Sequence, residues 1–214
     1  MSRTINVLLA DDHVVVRSGL TRLLEQNSDM IVIGKAENGE QACQLYGESM
    51  PDVLVMDVSM PGMGGLEALR RIIACWPEAK IIMYSMHENV TYAIQSMAAG
   101  AMGYVAKSGP TNDLINAVRQ ASVGENYLSE DMARKVALHS ENGGNDPTRR
   151  LTTREFEVFR LLAKGMTVEE IASHLDIGHK TVANYQTSIK QKLDINSPVE
   201  LVRLAIKYGV IPKE

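Results

Sequence analysis

Apolar and polar positions fall into two regimes along the 214-residue chain. In the first, short apolar runs alternate with amphipathic stretches. Residues 5–10 (INVLLA), 52–57 (DVLVMD), 80–85 (KIIMYS) and 101–106 (AMGYVA) are apolar at consecutive positions. That is the mark of strands buried on both faces. Residues 30–36 (MIVIGKA) form a more polar member of the set. The intervening spacing predicts helices over 13–26, 39–48, 65–75, 89–99 and 110–123; in the first, Arg17, Leu20, Leu23 and Leu24 share helical spacing, with the leucines on one face. Five strands alternating with five helices predict an α/β domain, a (βα)5 doubly wound parallel sheet covered on both faces. Ligands of such sheets bind beyond the carboxyl ends of the strands.

After residue 123 the regime changes. A connecting helix is expected over 129–139, and 141–150 (ENGGNDPTRR) crowds Gly, Asn, Asp and Pro as a flexible linker does. From there the period is helical to the end, which predicts a small all-α domain. The expected organisation is 1–123, a connector over 124–150, and 151–214.

Charge follows the same division. Residues 1–148 carry 11 Lys and Arg against 18 Asp and Glu, a net −7, whereas 149–214 carry 11 against 8, a net +3. An acidic front and a mildly basic tail suit a metal- or phosphate-handling domain followed by a nucleic-acid binder. Apolar residues at 45% and charged residues at 22% describe an ordinary globular composition. No apolar run reaches the roughly 18 residues of a membrane span, and the N-terminus does not read as a signal peptide. Cys43 and Cys75 form no CxxC, so they are expected to be reduced core thiols of a cytoplasmic protein.

Chemistry concentrates at the strand ends. Asp11 and Asp12 end the first strand and Asp57 the third, while Ser85 and Lys107 end the fourth and fifth. Mg²⁺ is held by one or two carboxylates plus phosphate oxygens and water. A carboxylate can also attack phosphorus to form an acyl phosphate, and lysine offers a point charge to a phosphoryl oxygen. Taken singly, each residue is ordinary: a helix N-cap, a turn residue, a solvated lysine. Their coincidence at four strand ends points to a phosphoryl acceptor. No nucleotide-binding glycine loop occurs, so the phosphoryl group comes from outside. His13 beside the acids is expected to cap or orient the first helix, and Met86 and His87 to line the site rim.

The order DDH at 11–13, MDVSMPGMGGLEAL at 56–69, Ser85 and GYVAK at 103–107 resembles the receiver domain of bacterial two-component response regulators, over roughly 4–123. The resemblance implies that Asp57 is phosphorylated. It also implies that Asp11, Asp12, Asp57 and the Ser59 carbonyl hold Mg²⁺, and that Lys107 and Ser85 grip the phosphoryl oxygens. Tyr104 would change rotamer behind Ser85; a packed strand aromatic with a solvated hydroxyl is the other reading of that residue. One departure is that Ser108 and Gly109 intervene before Pro110, where receivers often place proline in a cis peptide directly after the lysine.

In the tail, helices are expected over 151–165, 167–175, 180–193 and 197–208, with Thr152 or Thr153 capping the first and Glu155 reaching back. Two short helices joined by a tight turn fit a helix-turn-helix. In the second, Val182, Tyr185, Ile189 and Leu193 form the inward stripe. Lys180, Ala183, Asn184, Thr187, Ser188 and Gln191 lie opposite, a face that suits base edges and equally suits solvent. LTTREFEVFRLLAKG, EEIASHLDIGHKTVANYQTSIKQKL and ELVRLAI resemble the LuxR-type helix-turn-helix, over roughly 149–211. That match implies base-facing Ala183, Asn184 and Thr187 and backbone-facing Thr181 and Lys190, beside Lys180. Family members often carry Lys and His where this chain has Ala183 and Tyr185. The last helix, with Val199, Leu201, Val202, Leu204 and Ala205 apolar, packs the bundle, pairs two copies, or does both.

The whole chain thus resembles a NarL/FixJ-type response regulator and is similar to the global-activator group. The expected function is a transcription regulator, not an enzyme: a sensor histidine kinase phosphorylates it, it forms a homodimer on activation, and it binds promoter DNA. RNA polymerase is a further candidate partner, and a membrane is not expected. Phosphorylation is expected to loosen the receiver's hold on the DNA-binding domain. Three other readings stand beside this one. The first is a regulator of the same architecture that needs no phosphorylation. The second is a Mg²⁺-dependent phosphatase, which commonly wants an acid where Ser59 stands. The third is a small-molecule sensor, which wants more aromatics than one Trp and two Phe.

Overall fold

The computed structural model describes residues 4–86, 90–142 and 147–211. Its sheet contains β1 (Ile5–Ala10), β2 (Met30–Ala36), β3 (Val53–Met56), β4 (Ile81–Ser85), β5 (Gly103–Ala106) and β6 (Tyr127–Leu128). All neighbours pair in parallel, in the order β2-β1-β3-β4-β5-β6. Every residue of β3 is buried, as its unbroken apolar run requires, whereas the edge strand β2 alternates and leaves Ile31 and Ile33 exposed.

The crossovers are α1 (Val14–Glu25), α2 (Gly39–Ser49), α3 (Gly65–Cys75), α4 (Val90–Ala98) and α5 (Thr111–Ser122). One face of the sheet packs Val7, Leu9, Val55, Ile82 and Val105 against Leu20 and Leu24 of α1 and Leu114 and Val118 of α5. Each such side chain contributes roughly 1.5–3 kcal/mol by leaving water. The alternate pleat positions Leu8, Leu54, Met56 and Met83 are equally buried, as are Leu66, Leu69 and Ile72 of α3. At the start of α3 a Cβ on Gly65 would lie 1.8 Å from the backbone oxygen of Asp57, so only glycine lets this helix approach the end of β3.

Three details differ from expectation. The sheet has a sixth strand: Gly103 pairs with Tyr127 and Tyr104 with Leu128. A two-residue strand carries no period to read. Cys43 is half-buried, but Cys75 at the end of α3 is exposed rather than a core thiol. Arg17 is buried within the leucine stripe, where it donates to the backbone oxygen of Asp11 and to Glu37 Oε1 at 2.5 Å.

Helix α6 (Glu130–Asn142) follows, and the chain divides into two compact units, Met1–Ala137 and Leu138–Glu214. The second unit holds a 3-10 turn (Pro147–Arg150), α7 (Thr153–Ala163), α8 (Val168–Leu175), α9 (His179–Leu193) and α10 (Pro198–Lys207). Three of these helices start with capping boxes: Thr152 with Glu155, Thr167 with Glu170, and Ser197 with Glu200. Thr152, not Thr153, is the cap. Phe156, Phe159, Ile171, Val182, Ile189 and Ala205 are fully buried and form its core. The turn between α8 and α9 spans three residues and opens on Asp176 in the left-handed region, φ 51°.

Candidate phosphoryl-acceptor site and DNA-facing helix

Parallel strand order decides what meets at the carboxyl end of the sheet. β1 and β3 are neighbours, so Asp11 and Asp57 emerge side by side, and both are buried, at 1% and 5% exposure. Lys107, just past β5, reaches between them. Its Nζ lies 2.5 Å from Asp11 Oδ2 and 2.7 Å from Asp57 Oδ2. Oxygens of Asp11, Asp12 and Asp57 and a ring nitrogen of His13 all lie within 4.8 Å of one another. Ser59, two residues past Asp57, donates its backbone N–H to Asp57 Oδ1 at 3.3 Å.

Burial pushes the Asp57 carboxyl up, against the Lys107 ammonium and helped by the Asp11 charge, to about 6. Burial works against the charged form of Lys107, but Asp57 and Asp11 more than offset it and hold its pKa above the usual lysine range. The ammonium also lies 5.7 Å from the centre of the Tyr84 ring.

Behind the carboxylates, Ser85 and Tyr104 have no exposed surface. Burial raises the Tyr104 phenol far above its usual range, opposed by its hydrogen bond with Ser85. The hydroxyl of Tyr104 is thus engaged inside the domain rather than solvated. Met86 is exposed, and His87 lies outside the described residues. The described residues contain no cis peptide.

The sequence reading of His13 holds in position but not in a capping bond. The residue occupies the N-cap position of α1 but makes no side-chain capping hydrogen bond. Instead its Nδ1 lies 2.9 Å from Asp12 Oδ1 and 3.4 Å from Asp11 Oδ1. Asp11 Oδ1 takes the His13 backbone N–H at 2.9 Å, an Asx turn just ahead of α1.

In the second unit, α9 turns Val182, Ile189 and Leu193 inward, with Tyr185 half-buried. Lys180, Thr181, Ala183, Asn184, Thr187 and Gln191 are exposed, and Lys190 is half-buried. Ser188 departs from the expected outward role: its hydroxyl donates to Glu155 Oε1 at 2.6 Å. Lys192, one turn on, places Nζ 2.7 Å from Glu155 Oε2. In the sequence, Glu155 shows only as half of a capping box, and that signal hides its contacts with α9. On α10, Leu201 and Ala205 are buried, Val202 and Leu204 half-buried and Val199 exposed.

A parallel sheet with an acidic cluster at its strand ends, followed by a small helical unit, is the architecture of a receiver joined to a helix-turn-helix. Residues 7–119 match the response regulator receiver domain, and residues 149–205 match the bacterial regulatory proteins of the luxR family. The chain belongs to the response regulators that join these two domains. It is 38% identical over 212 residues to the response regulator UvrY of Escherichia coli K12, covering 98% of this chain and 97% of that protein. It is 37% identical over 209 residues to the response regulator GacA of Pseudomonas aeruginosa PAO1, covering 97% and 98%. Among solved structures it is similar to RcsB of Salmonella enterica serovar Typhimurium bound to promoter rprA in the presence of phosphomimetic BeF3−. That match has a TM-score of 0.68 at 29% identity, covering 94% of this chain and 98% of that one. The family consists of two-component transcription regulators.

Proposed function

We propose that Asp57 accepts a phosphoryl group from a sensor histidine kinase and that α9 then reads promoter DNA from a homodimer. The observation that carries the first half is the Lys107 bridge to Asp11 and Asp57 at the ends of neighbouring strands. In the transfer, an Asp57 oxygen forms a bond to phosphorus while the bond to the donor's nitrogen breaks, and the leaving group keeps that electron pair. Lys107 then places its charge beside the phosphoryl oxygens, and the Ser85 hydroxyl, at the adjoining strand end, donates a hydrogen bond to them. That bond competes with the one Ser85 shares with Tyr104, which gives the site a route to its interior.

The oxygens of Asp11, Asp12 and Asp57 are hard donors and fit Mg²⁺, with the Ser59 carbonyl as a further ligand. Bound there, Mg²⁺ supplies positive charge that neutralises the transferring group. Residues 1–123 receive the signal, 124–150 join, and 151–214 bind DNA. Lys180, Thr181 and Lys190 address phosphates, and Ala183, Asn184 and Thr187 address base edges. No helix among the described residues is long and apolar enough to cross a membrane. A regulator that meets promoter DNA works where the DNA is, which supports a cytoplasmic location, with RNA polymerase as a candidate further partner. The chain acts as a switch rather than as an enzyme with an external product.

The test is intact mass after incubation with acetyl phosphate and Mg²⁺, beside Asp57→Asn, with size-exclusion chromatography of the same samples. One added phosphoryl group, absent from the variant and accompanied by a shift towards dimer, is the expected result. No adduct together with no response to beryllofluoride would refute the reading.

A further inference from the structure

The three capping glutamates of the second unit are not equivalent. Glu170 and Glu200 are exposed and accept from backbone N–H groups at their helix starts: Glu170 from Thr167 at 2.8 Å, Glu200 from Asn196 at 2.7 Å and Ser197 at 3.3 Å. Glu155 performs the same service for Thr152, at 2.6 Å, yet is only 4% exposed. Its carboxylate also takes Ser188 Oγ at 2.6 Å and Lys192 Nζ at 2.7 Å, residues one turn apart on α9. Burial by itself would raise this carboxyl, but Lys192, Ser188 and the Thr152 N–H together hold it at about 2. It therefore carries its full charge near neutral pH.

Ser188 and Lys192 form a row on the flank of the exposed face that holds Lys180, Asn184, Thr187 and Gln191, and the Lys192 side chain is about one-third exposed. An unpaired ammonium there would be a ready phosphate contact, and phosphate contacts carry affinity without sequence information.

We propose that Glu155 is a specificity-determining residue: by holding Lys192 and Ser188 on α9 it withholds one cation from DNA phosphates and leaves discrimination to the Ala183–Asn184–Thr187 face. The inference rests on the assignment of α9 as the DNA-reading helix. Glutamine serves a capping box as well as glutamate does, so Glu155→Gln keeps the helix start and releases Lys192.

The experiment measures the affinity of the full, beryllofluoride-treated chain for two duplexes across a salt series. One duplex is random, and the other is selected from a random pool by the wild-type protein. Glu155→Gln is expected to tighten binding to the random duplex, to lower the ratio between the two, and to steepen the log–log salt slope by about 0.9 per bound copy. Adding Lys192→Met to that variant should restore the wild-type slope, and Lys192→Met alone should leave it unchanged. The proposal is overturned if Glu155→Gln weakens both duplexes at an unchanged slope, as loss of a structural contact would, or if Lys192→Met alone flattens the slope. If the wild type selects no sequence at all, the DNA-reading assignment fails, while the slope on the random duplex still decides the role of Glu155.

Discussion

Replacing Lys107 by methionine removes the charge and keeps the length and apolar stem of the side chain. In the folded protein the Lys107 side chain is 6% exposed, and its ammonium bridges the carboxylates of Asp11 and Asp57, whose side chains are 2% and 6% exposed, at 2.5 and 2.7 Å. Removing one partner of a buried ion pair costs about 3–5 kcal/mol, because the other charge is left without compensation. Here the loss is softened. Asp57 already sits at about 6, and without the ammonium it rises further and takes up a proton near neutral pH. A deficit of about 3 kcal/mol is therefore expected, which at a urea dependence of roughly 2 kcal/mol per molar moves the midpoint by about 1.5 M. The single tryptophan, Trp76, lies in the first unit against Tyr46, ring centres 5.3 Å apart, so its fluorescence reports that unit within the intact chain. Mg²⁺ should recover more stability in Lys107→Met than in the wild type, because the lysine no longer competes for the same oxygens. A midpoint within about 0.3 M of wild type, or equal Mg²⁺ stabilisation of the two proteins, would refute the claim that this lysine holds the acidic site together.

Gly65→Ala should be among the most damaging single-methyl changes in the first unit. Its Cβ meets the backbone oxygen of Asp57, so it should cost about 3 kcal/mol or more in a Trp76-monitored urea melt and abolish acetyl-phosphate labelling. Burial, and after it the hydrogen bond to Asp113, raises the Tyr127 phenol to about 12, and Tyr127→Phe removes that bond. The expected loss is about 1–2 kcal/mol, with faster amide exchange in β6; unchanged exchange there would show that the bond does not hold the strand. The Glu155 carboxyl is depressed from 4.5 to about 2, so its stabilising contribution is complete above about pH 4.5 and fades as pH falls towards 2. Amide protection of α9 in the intact chain should fall across that window in the wild type and stay flat in Glu155→Gln.

The sequence was most legible where period and chemistry coincide. Four apolar runs and one more polar run located five strands, and the polar residues ending four of them marked the candidate site before any distance was known. Local pattern fails where a side chain's partner comes from another segment. Ser188 lies on the polar side of α9 by spacing, but Glu155, 33 residues earlier, turns it inward. His13 precedes a helix, as a cap does, yet its ring lies against two acids. Arg17 reads as an intrusion among leucines until the Asp11 carbonyl and Glu37 are seen to receive it. Strand β6 is too short to have a period, and Cys75 is apolar by type but sits at a helix end, where the core stops.

The contact between Lys107 and Asp11 closes a loop of 96 residues. The proposed acceptor pocket therefore does not exist in any shorter stretch of chain: it comes into being only when the fifth strand docks beside the fourth. A polypeptide still leaving the ribosome, or one clipped before residue 107, presents Asp11 and Asp57 as bare neighbouring acids with nothing to steady an incoming phosphoryl group. Competence to receive a signal thus certifies that the first unit has closed, so a copy cut short before Lys107 stays silent instead of reporting a false signal.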